Sequence, residues 1–297
     1  MMHHRRHQIF LRQLRAILDA FDAEGIACVA LKGPLLAERF HAVPFLKASH
    51  DLDLLVRHSD IPAAASLMES CGFRLGGSLP WRVHQRYHHD VQFSGDGEVP
   101  FIEMHYALRA GQNVIPGREF VDRAVHWRAK EGSDFQVLSP ADEAFYLVVH
   151  AAGHAFHRLR WLYDAQAVLK TLNASEKARV RSLAIEMQST GYFVAADMAC
   201  REFFGEPLNL DCADFPTPWM WCRLAPRHTR RMVERVEGTT STVLEKVGFR
   251  IDLCRMAGSP LDAARLLIRQ LHTETSKRWQ SLVNPTDPGV LARTLAG

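Results

Sequence analysis

The stretch His50-Asp51-Leu52-Asp53-Leu54-Leu55-Val56 sets two carboxylates into an otherwise apolar run. Side chains alternate faces along a strand, so Asp51 and Asp53 share one face while Leu52 and Leu54 occupy the other. Two carboxylates side by side repel unless a cation lies between them. Mg²⁺ suits that place, because it takes oxygen ligands, usually one or two carboxylates plus substrate phosphates. The same pattern also describes the exposed face of an edge strand, and the stretch alone leaves both readings open.

Upstream, Phe10, Leu11, Leu14, Ile17, Leu18 and Phe21 recur on one face and predict a helix from Ile9 to Phe21. Gly25 ends it, and the apolar run Ile26 to Leu31 suits a buried strand. Lys32-Gly33-Pro34 breaks that strand, and Leu35 to Phe40 starts another helix with Pro34 in its first turn. Downstream, Ser59 or Asp60 can cap a third helix running to Cys71, with Pro62 near its start and Gly72 beyond its end. Asp90-Val91-Gln92-Phe93 and the run Val99 to Tyr106 read as strands joined by the turn signal Ser94-Gly95-Asp96-Gly97. On the later strand, alternation puts Glu103 and His105 on one face and Ile102 and Met104 on the other. If that strand lies beside Asp51 and Asp53, Glu103 completes a three-carboxylate site. Such a site can hold two metals that stabilise the attacking and leaving oxygens of an in-line displacement.

Composition changes near Ser139. Ser139-Pro140-Ala141-Asp142-Glu143 opens a helix with acidic residues at its N-terminus, and the remainder reads mainly as helices, Leu261 to Leu271 among them. The expected fold class is therefore α/β (α+β), a small mixed β-sheet flanked by helices over residues 1–138 followed by a mainly helical half over 139–297. His150, His154 and His157 stand at i, i+4 and i+7, one helical face, with Asp164 two turns on. Such a face can share an ion or serve packing and hydrogen bonding where the two halves meet. No Glu adjoins the first His, so hydrolytic zinc chemistry is not indicated. Trp161, Leu162 and Tyr163 read as core, and Arg223, Arg227, His228, Arg230 and Arg231 as a solvated helix face.

Among 297 residues, 47% are hydrophobic and 23% charged, ordinary values for a globular chain. Lys+Arg 36 against Asp+Glu 33 is too balanced to argue for nucleic acid. No run approaches the roughly 18 apolar residues of a membrane span. The basic start leads into a charged amphipathic pattern rather than a signal-peptide core. Six scattered cysteines lack zinc-site spacing, so a cytoplasmic protein with reduced thiols is expected.

Leu31-Lys32-Gly33, then Lys47-Ala48-Ser49-His50-Asp51-Leu52-Asp53-Leu54-Leu55-Val56, then a helix closing on Cys71-Gly72-Phe73, resembles a bacterial nucleotidyltransferase family related to polymerase-beta-type enzymes. Ile102-Glu103-Met104-His105-Tyr106 is similar to that family's acid-plus-His strand. Ser139-Pro140 with His150, His154, Leu159-Arg160-Trp161-Leu162 and Asp164 is similar to its helical half. The ordered set spans most of residues 25 to 165.

The resemblance implies a nucleotidyltransferase core in the first half, with Asp51 and Asp53 as ligands of Mg²⁺ or Mn²⁺. Glu103 is implied as the third acid, a metal ligand that can activate the acceptor. A nucleoside triphosphate is the implied substrate, with Lys32, Gly33, Lys47, His105, His150, His154, Arg160 and Asp164 placed to bind it or its acceptor. Two departures stand out. The wider superfamily cradles triphosphate with Gly-Ser, where this chain has Lys32-Gly33-Pro34. Pro34 has no backbone N–H, which leaves more of the phosphate binding to Gly33, the following helix N-terminus and the Lys32 point charge. Lys47 stands where members often carry Arg, which weakens a bidentate phosphate contact. The stretch Trp81 to His89 either borders the acceptor site or is a surface connection. The implied reaction moves a nucleoside monophosphate to a hydroxyl or phosphate of a small-molecule, sugar or peptide acceptor rather than a nucleic-acid template. Two rivals keep the fold: a nucleotide-binding or antitoxin-like module without turnover, and transfer of another group from a nucleotide-activated donor. Acids at all three positions argue against the module.

Overall fold

The computed structural model describes residues 2–215, without 47, 48, 50, 78, 79, 97–99, 111, 112, 130, 131, 155 and 157, together with Ala264, Ile268 and Leu295. The chain clusters into two compact units: Met1–Leu108 with Ile115–Ser139 and Thr275–Gly297, and Arg109–Val114 with Pro140–Glu274.

The first unit opens with α1 (Met2–Ala23), β1 (Cys28–Ala30), α2 (Pro34–Phe40), β2 (Asp51–Val56) and α3 (Ile61–Ser70). It continues through β3 (Arg74–Gly76), α4 (Trp81–Tyr87), β4 (Asp90–Ser94) and β5 (Phe101–His105). β6 (Ala107–Ala110) and β7 (Asn113–Pro116) pair with each other, and α5 (Gly117–Val121), β8 (Val125–Arg128) and β9 (Asp134–Val137) follow. Seven strands form one mixed sheet in the order β3-β4-β5-β2-β1-β9-β8. β2 runs antiparallel to β1 and parallel to β5, β4 is antiparallel to β5, and β9 joins β1 in parallel.

This mixed α/β architecture agrees with the expected class, and its physical reason lies in β2. Leu52, Leu54 and Val56 belong to one apolar cluster with Phe10, Leu14, Ile17 and Phe21 of α1 and with Ile61, Ala64, Ala65 and Met68 of α3. The helical stripe read from the sequence is thus the face that covers the sheet. The strands β3, β8 and β9 have no counterpart in the sequence reading. β3 spans only three residues, and three of the four β8 residues are exposed, so neither carries a usable alternation. The expected side-chain cap of α3 is also corrected. Among the described residues Asp60 makes no capping bond; Ser59 Oγ donates to Asp60 Oδ1 at 2.8 Å instead, beside a 3-10 turn over His58–Asp60. Local side-chain bonding of this kind competes with caps.

From Pro140 on, the described residues of the second unit form α6 (Pro140–Gly153), α7 (Leu159–Thr171), α8 (Ala174–Glu186) and α9 (Thr190–Phe204). Asn173 and Glu176 close a capping box on α8. Asp142 and Glu143 are buried at the start of α6 rather than solvated. Leu162 is core, but Tyr163 is 47% exposed, against its core reading. The expected helix at Leu261 to Leu271 lies outside the described residues apart from the helical Ala264 and Ile268, and the basic cluster Arg223 to Arg231 lies wholly outside them. Among the described residues no helix is long and apolar enough to cross a membrane, and Cys28, Cys71, Cys200 and Cys212 are free thiols.

Gly117 sits where β2 and the end of β5 meet the start of α5. A Cβ there would lie 2.7 Å from the Tyr106 carbonyl oxygen, 2.8 Å from that of Val56 and 3.0 Å from Leu55 Cδ1. Two of these neighbours are backbone and cannot rotate away. Gly117→Ala is therefore expected to cost roughly 1–3 kcal/mol in urea denaturation; a loss within about 0.5 kcal/mol would show that the backbone absorbs the methyl group.

Candidate active site

The parallel register of β2 and β5 sets Asp53 opposite Glu103 and Asp51 opposite Phe101. Leu52, Leu54, Ile102 and Met104 point into the core, so alternation leaves Asp51, Asp53, Glu103 and His105 on the other face. β4 extends that face, with Asp90 opposite His105 and Gln92 opposite Glu103.

Asp53 is 2% exposed. Its Oδ1 accepts from Lys32 Nζ at 2.9 Å and lies 3.3 Å from His105 Nε2. Its Oδ2 is buried and has no hydrogen-bond partner among the described residues. Burial pushes this carboxyl's pKa up, yet the Lys32 charge and the contact with His105 outweigh it and hold the group at about 2. Glu103 goes the other way. Burial, joined by the Asp53 charge, lifts it from its ordinary 4.5 to about 7 against the opposing pull of His105 and Lys32. The two facing carboxyls are thus shifted in opposite directions, because the tethered ammonium sits on one of them.

Lys32 reaches Asp53 for a local reason. The Leu31 N–H donates to the Asp53 carbonyl at 3.0 Å, which fixes the chain leaving β1 beside β2. Gly33 then turns it with φ 81°, and a Cβ there would come within 3.7 Å of the Asp51 carbonyl oxygen. That left-handed conformation is open to glycine at little cost.

The ligand atoms of Asp53, Glu103 and His105 all lie within 4.8 Å of one another. Asp51 is partly buried on the same face but is not part of that group. The stretch Trp81 to His89 forms α4 and the approach to β4, beside the acidic face. His84 Nε2 lies 2.7 Å from the Asp90 carbonyl oxygen, and the His89 ring is 5.4 Å from His105. Burial raises the Asp90 pKa, but the charges of His105, His89, His88 and His84 bring it below its ordinary value. The sequence reading did not single out Asp90. Alternation along Asp90-Val91-Gln92-Phe93 carried a signal for it, but only the β4–β5 register places it by His105.

The remaining candidates fall outside the described residues or in the second unit. Lys47 is outside the described residues. His150, His154, Arg160 and Asp164 belong to the second unit. The single helical face expected of His150, His154 and His157 is corrected: α6 ends at Gly153, and Phe156 takes φ 55°. His157 lies outside the described residues. The His150 and His154 rings are 4.8 Å apart and stand 4.9 and 4.7 Å from Trp161. Asp164 is 2% exposed.

An unpartnered, buried carboxylate oxygen beside a second carboxyl and an imidazole fits a divalent cation in donor chemistry. A family model described as uncharacterised nucleotidyltransferase matches residues 1–205 of the sequence. The chain belongs to this nucleotidyltransferase family.

No curated protein matches the nucleotidyltransferase significantly. Its similarity to solved structures is faint. The antibiotic-resistance factor ANT(2'')-Ia in solution aligns at TM-score 0.41 and 13% identity, over 60% of this chain and 92% of that one. The crystal structure of ANT(2'')-Ia in complex with adenylyl-2''-tobramycin gives 0.41 and 13%, over 60% and 98%. The lincosamide antibiotic adenylyltransferase LnuA with lincomycin bound gives 0.33 and 13%, over 58% and 94%. Likeness at this level assigns no residue and no substrate.

The Lys32–Asp53 pair makes a testable claim about the nucleotidyltransferase without ligand. Asp53 has a folded pKa below its ordinary 3.8, so it contributes stability above that value and loses it as pH falls towards about 2. Lys32→Met strands a buried charge and is expected to cost roughly 3–5 kcal/mol at neutral pH. The penalty should shrink on acidification, because Asp53 without its counter-ion protonates more readily. Chemical denaturation of both proteins across pH checks this, and a penalty independent of pH would mean that Lys32 acts through packing alone.

Proposed function

We propose that this nucleotidyltransferase moves a nucleoside monophosphate from a nucleoside triphosphate to a hydroxyl or phosphate of a small-molecule, sugar or peptide acceptor, with Asp51, Asp53 and Glu103 at its metal-dependent centre. The observation that carries the reading is the Asp53–Glu103 register pair, with one Asp53 oxygen buried and without a partner among the described residues. Mg²⁺ or Mn²⁺ held by these acids would neutralise the charge spread over the triphosphate oxygens.

The chain's own residues supply the rest. Glu103, directly opposite Asp53, is assigned to bind the second ion or to accept the acceptor's proton as a general base. The acceptor oxygen then bonds to the α-phosphorus, the bond to the bridging oxygen breaks, and pyrophosphate leaves with that electron pair. Lys32 can turn its ammonium from Asp53 to a phosphate, where it acts as a point charge. Gly33 keeps the backbone beside Asp51 bare of a side chain, which suits close approach of a phosphate. Asp51, two residues from Asp53 on the same face, is assigned to the ligand set on the family pattern. Lys47, His150, His154, Arg160 and Asp164 are assigned to nucleotide or acceptor binding on that pattern alone.

Incubation with each α-labelled nucleoside triphosphate, a divalent ion and an acceptor panel tests the reading. Wild type is expected to release pyrophosphate and pass label to an acceptor. Asp53→Asn is expected to slow this by on the order of 10²–10³, with nucleotide binding still measurable by calorimetry. Label transfer that survives Asp51→Asn/Asp53→Asn would overturn the mechanism, and binding without turnover across the panel would favour a non-catalytic module.

A further inference from the structure

His105 adds to the acidic centre a chemistry that three carboxylates would not have. It follows Glu103 by two residues on β5, so alternation puts both side chains on the face that carries Asp53. It is 7% exposed. Its Nε2 lies 3.3 Å from Asp53 Oδ1 and 3.9 Å from Glu103 Oε2. Donor atoms bound to one ion at about 2.1 Å, at angles from octahedral to tetrahedral, stand about 3.0–3.4 Å apart. The 3.3 Å contact is to Oδ1, and the ligand atoms of Asp53, Glu103 and His105 all lie within 4.8 Å of one another, so modest side-chain rotation brings them to that range. Glu103, whose side chain is 28% exposed, has room to turn the few tenths of an ångström that its own contact needs.

We propose that His105 is a nitrogen ligand of the divalent ion held by Asp53 and Glu103, and that the imidazole it adds to the carboxylates selects a first-row transition ion over Mg²⁺. Three observations support it. Asp53 Oδ2 is buried and without a partner among the described residues, in a residue 2% exposed, which leaves an open anionic donor at the centre. His105 brings a ligand atom within 4.8 Å of those of both Asp53 and Glu103. The other ring nitrogen, Nδ1, is also buried and without a partner among the described residues, and Asp90 stands directly across the β4–β5 pair. A metal-bound histidine keeps its remaining proton on the other ring nitrogen, so with Nε2 on the ion that N–H is Nδ1. Mg²⁺ favours an oxygen environment and keeps its waters, whereas a neutral imidazole binds first-row ions more strongly.

The inference rests on the metal-dependent reading of the same site, but its test does not depend on turnover. The full chain is titrated with Mn²⁺ and followed by electron spin resonance, with pulsed detection of nitrogen coupling. Bound Mn²⁺ is expected to show nitrogen modulation that changes when the protein is made with ¹⁵N-histidine, a substitution that leaves the fold untouched. His105→Gln, checked for folding by circular dichroism, is expected to lose the modulation. It should also need roughly 10–100-fold less Mg²⁺, relative to Mn²⁺, to displace half of the bound ion. Bound Mn²⁺ without histidine nitrogen coupling, coupling that persists in His105→Gln, or no Mn²⁺ bound with or without nucleotide would each overturn the proposal. Label transfer by a protein lacking the coupling would leave the nucleotidyl-transfer reading standing alone, and coupling without label transfer would do the reverse.

Discussion

The parallel pairing of β2 with β5 is the constraint on which the site depends, because it sets Asp53 directly opposite Glu103. Like charges facing each other across a ladder are destabilising, so the electrostatics of this register oppose it. What imposes the register is the other face. Leu52, Leu54, Ile102 and Met104 are all within 1% of complete burial, and burying each such side chain contributes roughly 1.5–3 kcal/mol. A one-residue slip of either strand would turn its carboxylates into the core and its leucine, isoleucine or methionine out to the polar face. The apolar face therefore fixes the distance between the acids, and the acids accept the consequences.

Those consequences are distributed unevenly. Lys32 leaves β1 next to β2, so its ammonium reaches Asp53 at 2.9 Å, and His105 adds its own contact to the same oxygen. Asp53 is held ionised, while Glu103, with burial and an anionic neighbour against it, is lifted to about 7. In the absence of an ion, the two neighbouring carboxyls are thus pushed apart in pKa by their surroundings. Here the separation follows from chain topology: β1 lies on the β2 side of the pair, so the lysine serves Asp53 first.

Much of this was legible in the sequence because it depends on local periodicity. The interval of two between Asp51 and Asp53, and again between Glu103 and His105, placed each pair on one face before any strand was paired. The stripe from Phe10 to Phe21 announced the covering helix, although α1 extends from Met2 to Ala23. Facts that rest on nonlocal pairing were not legible. Nothing near Lys32 in sequence points to Asp53, 21 positions on, and nothing in the acidic strand shows that Asp51 stands outside the closest group while His105 stands within it. Asp90 was hidden in the same way, since its importance appears only when β4 lies beside β5. The short exposed strand β8 carried no pattern to read, and the break in α6 at Gly153 undid a helical spacing that periodicity alone had favoured.

A buried oxygen without a partner is a liability that packing elsewhere must offset, since leaving such a group unsatisfied costs roughly 1–3 kcal/mol and more when it is charged. Among the described residues that oxygen is Asp53 Oδ2, and the lysine and histidine that stabilise the same carboxylate both engage Oδ1. Satisfying one oxygen and leaving the other bare is not what a purely structural ion pair would require, because a bidentate partner could have closed both. The arrangement keeps Asp53 anionic through Oδ1 while reserving Oδ2 as an acceptor. A cation arriving at Oδ2 meets a carboxylate that is already charged and held by two strands and a core. Most of the organisation needed to bind it is thus established during folding.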